Sequence, residues 1–232
     1  MKRFESLLLF SVIGLLSLNT TSVFAQENIN SNFDNISINS NNDNDIDNMI
    51  ISIANELREL KNNGASDEEL NTYLNTKVFN QRWGLEDYIT GNLNSLEQEL
   101  YNSNKSNGIL CMANGKLAIE YAESNYISSE LHNGNGDAFR HILWNYGMVI
   151  DVGYDFAKKW SNAHENGSYG QPDIEKEMDL YNNSIGLNLG LQYPNTLSHS
   201  TFISNSKEKV RNGSAKRIVD GRLTSTNYNG EK

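Results

Sequence analysis

Over residues 46–62 the apolar side chains Ile46, Met49, Ile50, Ile53, Leu57 and Leu60 recur at steps of three and four, the period of a helix with one buried stripe, and Gly64 ends the run. Ser66 and Glu69 form a capping-box pattern that opens a second helix carrying Leu70, Tyr73, Leu74 and Val78. The pattern predicts further helices over residues 92–101 and 116–125. After the break at Gly134-Asn135-Gly136 three more follow, at about 137–152, 154–164 and 173–189, with Pro172 suited to a helix start and Gly153 and Gly167 as punctuation. Near the end the period changes: Asp220-Gly221 sits between two short β-capable runs, a hairpin signal. The expected fold class is mainly α, a single orthogonal helical bundle domain with a small C-terminal β-hairpin.

The N-terminus follows a different pattern. Lys2 and Arg3 precede an apolar run from Leu7 to Leu18, and Val23-Phe24-Ala25 supplies small residues at the spacing a signal peptidase uses. The run is short of the roughly 20 residues needed to span a bilayer. Residues 1–25 therefore read as a signal peptide cleaved after Ala25, giving a secreted protein with no transmembrane anchor. Residues 26–45 are rich in Asn, Ser and Asp with scattered apolar residues, a composition that cannot offset its ordering entropy, and read as a disordered spacer. That leaves residues 46–232 as one mainly helical domain.

The chain of 232 residues has a formal net charge of -10. An acidic surface repels phosphate backbones, which argues against a nucleic-acid partner. Six basic residues, Lys207, Lys209, Arg211, Lys216, Arg217 and Arg222, make the tail locally positive, a solvated face or a contact for an anionic polymer. Cys111, the one cysteine, cannot form an internal disulfide, and its apolar neighbours predict a buried thiol.

Candidate chemistry gathers on the last three predicted helices. Asp137, His141 and Asn145 are spaced by four and form one polar stripe beside Ala138, Ile142, Leu143 and Tyr146. His164 and Glu165 close the next helix, and Asp179 and Asn183 repeat the spacing of four on the third, where Gly186 leaves room for a close helix approach. His141, His164 and Asp179 together offer two nitrogens and one oxygen, a ligand set for a catalytic divalent ion, zinc first, with a position left for water. Glu165 or Asp137 would then act as base. Without metal, His141 oriented by Asp137 can do acid–base work while Arg140 or a carboxamide such as Asn183 steadies an anion. The third alternative is a polar network that only satisfies itself between packed helices. His132 and His199 read as surface histidines, His132 being the better placed of the two to reach the site, and Trp144 and Trp160 as core.

The blocks "GDAFRHILWN", "AHE" and "MDLYNNSIG" resemble the signatures of an uncharacterised bacterial domain family found in secreted proteins and at the C-terminal ends of polymorphic (Rhs-type) toxins. The resemblance spans residues 133–190. It implies an exported context, an immunity protein as a partner, and a shared site formed by Asp137, Arg140, His141, Asn145, His164, Glu165, Asp179, Asn182 and Asn183. A looser similarity, helices bearing His and Asp ligands, is to the zinc-dependent phospholipase C group, although four histidines are too few for that group's three-zinc centre. The expected function is a secreted hydrolase, metal-dependent, acting on an envelope component such as peptidoglycan, a lipid headgroup or a phosphoester. The alternative is a non-catalytic secreted helical binding module.

Overall fold

The computed structural model describes residues 43–80, 82, 84–196 and 198–232; the expected signal peptide and most of the expected spacer lie outside them. The helix α1 (Asp43–Asn62) starts inside the last residues assigned to that spacer and buries Met49, Ile50, Ile53 and Leu57. Ser66 and Glu69 close a capping box on α2 (Asp67–Tyr73), which runs on as a π-helical turn, Leu74–Phe79. Then come α3 (Leu85–Gly91), α4 (Ser95–Ser103), α5 (Lys105–Asn125), a 3-10 turn at Ser128–Glu130, α6 (Asn135–Val152), α7 (Tyr154–Gly167), α8 (Asp173–Gln192) and α9 (His199–Arg211). The hairpin β1 (Lys216–Val219) and β2 (Arg222–Ser225) turns at Asp220 and Gly221, both with positive φ, the turn that Asp-Gly predicts. The fold is mainly α with a C-terminal hairpin.

The helix α6 is the axis of the bundle. It packs against α5, α7, α8 and α9, and every residue but Arg140, Ile150 and Val152 is buried. A helix covered on all sides can carry buried polar groups only where neighbours satisfy them, so its polar stripe faces partners rather than water. Its tightest neighbour is α8. A Cβ added at Gly186 would lie 2.3 Å from the carbonyl oxygen of Ile142, and one at Gly190 would meet Val149 at 2.4 Å. These two glycines, one turn apart, bring α8 close enough for Asn183 and Asp179 to reach His141.

Three elements differ from the sequence reading. The helix α5 begins at Lys105, so the stretch "GILCMANG" is helical and buried except at Met112 and Gly115, which are partly covered; Gly108 fits under Tyr101 and Gly115 against Trp144. The short α3 and the basic α9 carried too little apolar period to be predicted. In α9, Phe202 and Val210 face the core, while Lys207 and Arg211 form ion pairs with Glu231. His199 is half-buried and hydrogen-bonds the Tyr121 hydroxyl, so it is not a plain surface histidine. Cys111 is buried as expected, and burial pushes its thiol up.

Candidate metal centre

Asp137 occupies the first turn of α6. Its Oδ2 accepts from the backbone N–H of Asn133 at 2.7 Å, a capping bond to a residue held at φ 60, and this turns Oδ1 toward the interior of the cleft. One turn on, His141 is almost fully buried. Its Nδ1 lies 3.0 Å from Oδ1 of Asn183. That oxygen also accepts from Asn145 Nδ2 at 2.7 Å, and Asn183 Nδ2 donates to Glu165 Oε1 at 3.0 Å. Since the amide is oriented by these two partners, Nδ1 must be the protonated nitrogen and Nε2 presents its lone pair to the cleft.

Around Nε2 stand Asp179 Oδ1 at 3.1 Å, Asp137 Oδ1 at 3.5 Å and Arg140 Nη2 at 2.9 Å. Arg140 Nη2 also donates to Asp137 Oδ1 at 2.5 Å, and its side chain keeps 30 % of its surface in solvent. Asp179 Oδ2 accepts from Gln171 Nε2 at 2.7 Å, whereas Asp179 Oδ1 is buried without a hydrogen-bond donor. Asp137, His141 and Asp179 each offer one ligand atom, all within 4.8 Å of one another. Bonds of about 2.1 Å at tetrahedral angles place ligand atoms roughly 3.4 Å apart, which is close to the 3.1 and 3.5 Å found about Nε2. These three residues could hold a metal ion.

The electrostatics follow from burial. Three buried carboxylates, Asp137, Glu165 and Asp179, surround one neutral ring and one guanidinium. Burial, with Glu165 and Asp137 nearby, pushes the Asp179 carboxyl up to about 8. Burial and Arg140 hold His141 down to about 3, so the ring is neutral at any ordinary pH. Burial alone would raise Asp137, but Arg140, His141 and the Asn133 N–H outweigh it and keep that carboxyl below its usual value.

The residues predicted from sequence do converge, with altered roles. His164 borders the same cleft but lies outside the ligand group, its Nδ1 bonded to Glu97 Oε1 at 2.8 Å; Asp137 stands where a second histidine was expected. Glu165 sits behind His141, its Oε1 3.8 Å from Nδ1, so it supports the ring from the side away from the lone pair. Asn183 links His141, Asn145 and Glu165. Asn182 points elsewhere, bonding the backbone of Lys216 in β1. Trp144 is buried as predicted, donating to the Cys111 carbonyl at 3.0 Å, and it makes edge-on ring contacts with both His141 and His164. Glu97, Asn133 and Gln171 were missed. Only Glu97 had a signal, the Asn94-x-x-Glu97 capping pattern that the structure confirms.

The cleft over these groups is about 150 Å³, and His132, Glu175 and Ser168 also line it. Residues 99–214, half of the chain, match the model of a family described as a domain of unknown function (DUF6973). No curated protein matches the chain. No solved structure matches it either. Among the described residues no helix is long and apolar enough to cross a membrane.

Proposed function

The chain belongs to the family of the domain of unknown function DUF6973, and from the geometry of its cleft we propose that it is a secreted, divalent-metal-assisted hydrolase. The observation that carries this is the pair of facing acceptors, His141 Nε2 and the donorless Asp179 Oδ1, with Asp137 Oδ1 as a third. Acceptors held this close in a buried place require a positive charge between them. A proton on Asp179 meets that need in part, and Arg140 meets it for Asp137. A divalent ion would meet it for all three, displacing the half-solvated guanidinium toward the cleft mouth.

One nitrogen and two carboxylate oxygens suit zinc with an open position, and a bound ion would there supply water with its pKa lowered to about 7. Asn183 would hold the imidazole in the ligating tautomer, and Arg140, once displaced, could face the charge that develops on the substrate. Export rests on the N-terminal pattern of residues 1–25, and an envelope component as substrate follows from export. The resemblance of the sequence blocks to toxin C-termini supports a toxin-like deployment with an immunity partner. Acid–base chemistry without metal is the second reading, supported by Arg140 already lying against Nε2.

Metal analysis of the purified protein decides between them. We expect one divalent ion per chain, a lower melting temperature in chelator, and loss of binding and of turnover of isolated peptidoglycan, lipid vesicles or a phosphodiester in His141→Ala. No bound ion together with unchanged melting in chelator would overturn the metal reading.

A further inference from the structure

The Glu97 carboxylate that binds His164 is held at both oxygens. Oε1 faces Nδ1 of His164 at 2.8 Å, and Oε2 accepts from the Asn94 backbone N–H at 2.9 Å, closing the capping box of α4. Asn94 Nδ2 in turn donates to the carbonyl of Ala163 at 3.2 Å. The start of α4 is therefore clamped to the last turn of α7, and the tightness is plain at Gly167, where a Cβ would lie 2.2 Å from the Asn94 side chain. Glu97 is buried, while the His164 side chain is 43 % exposed and borders the cleft. A carboxylate only accepts, so Nδ1 carries a proton and Nε2 is the nitrogen left for the cleft.

We propose that His164, positioned by Glu97, is the proton donor of the cleft and not one of its metal ligands. The proposal rests on the hydrolytic reading above. In the step it serves, water adds hydroxide to the electrophilic centre of the substrate and releases its other proton to solvent. The bond to the leaving group breaks, the leaving atom keeps the electron pair and takes the proton from Nε2, and solvent reprotonates the ring. Glu97 holds the Nδ1 proton throughout.

The charged groups around the ring agree with this role. Burial would lower His164, but the hydrogen bond and charge of Glu97 outweigh it, Glu165 adds to them and Arg140 opposes them, so the ring is held above its ordinary value. His141, the buried ring of the candidate metal centre, stays neutral. A donor charged toward neutral pH beside a neutral ligand is the division of labour that acid-assisted hydrolysis needs.

The test is an NMR titration of the imidazole Hε1 resonances of the full chain, with His164→Asn to identify the signal, in the presence and absence of Zn²⁺. We expect His164 to titrate above 6.5, Glu97→Gln to lower its midpoint by about one unit, saturating Zn²⁺ to leave it titrating, and His164→Asn to bind Zn²⁺ as the parent does. The amide introduced by Glu97→Gln retains an oxygen for the Asn94 cap, so that variant keeps its fold. A signal that ceases to titrate with Zn²⁺, with binding lost in His164→Asn, makes His164 a ligand and overturns the proposal. A midpoint unmoved in Glu97→Gln overturns it too. A parent chain that binds no Zn²⁺ overturns the metal-assisted reading by itself, a failure visible separately from the Glu97 result.

Discussion

Asn183 Oδ1 lies 3.0 Å from His141 Nδ1, and this single bond between α8 and α6 decides which face of the imidazole is turned to the cleft. Outer groups that fix a ligand's tautomer matter for affinity nearly as much as the ligands. Asn183→Ala should therefore weaken Zn²⁺ binding by about 10- to 100-fold, read by isothermal titration calorimetry. Unchanged affinity would mean that the ring is oriented by something else.

Protonation of Asp179 gives the centre a pH signature. With the folded carboxyl pushed up to about 8 from 3.8, the folded state holds a proton that the unfolded chain has lost across this window. The stability it contributes is fully present below 3.8 and is lost as pH rises toward 8. His141, held down to about 3, acts oppositely, and its contribution is lost as pH falls below 6.5. His164, raised, contributes stability that is lost as pH rises through its folded value. Between pH 6.5 and 8, Asp179→Asn should have a shallower decline than the parent in urea melts, and saturating Zn²⁺ should flatten the parent in the same way. Parallel profiles would show that Asp179 is ionised throughout.

The contact at Gly186 sets how closely the two site helices meet. Adding a methyl 2.3 Å from the Ile142 carbonyl forces α8 outward. Gly186→Ala should cost about 1–3 kcal/mol as an overpacked substitution, even though alanine favours helices. It should also reduce Zn²⁺ affinity, because Asn183 and Asp179 move with α8. Calorimetric melting and metal titration of one sample test both halves.

A second buried ion pair lies at the far end of α6 and serves as a control. Arg58 Nη2 meets Asp151 Oδ2 at 2.6 Å, with Asn114 Nδ2 donating to the same oxygen at 2.7 Å. Asp151→Ala leaves the Arg58 guanidinium buried without its carboxylate and should cost about 3–5 kcal/mol. Residual folded protein should bind Zn²⁺ normally. An equal loss of metal affinity would show that the centre depends on bundle stability as a whole.

The parts of this structure that were legible in the sequence are those with a local cause. Ser66 and Glu69 cap α2, Asp220-Gly221 turns the hairpin, and the stripe of Asp137, His141 and Asn145 follows from helical spacing alone. Convergence of Asp179 and Asn183 on that stripe could be argued from Gly186, since a missing side chain invites a close neighbour. The ligand set could not be read, because Glu97, which engages His164, lies 67 residues away, and nothing in the spacing ranks it above Asp179 as a neighbour. The start of α5 was missed because its glycines, breakers by local rule, serve here as contact points for Tyr101 and Trp144.

The hairpin lies beyond residue 214, where the family match ends, yet Ile218 N–H donates to the carbonyl of Asn133 at 2.8 Å, and Asn182 brackets Lys216 through both its N–H and its carbonyl. Asn133 is the residue whose backbone aims Asp137. A polypeptide trimmed to the matched region would thus retain all three candidate ligands and lose the brace that aligns one of them, so the smallest unit able to present the intact centre is longer than the homology alone delimits.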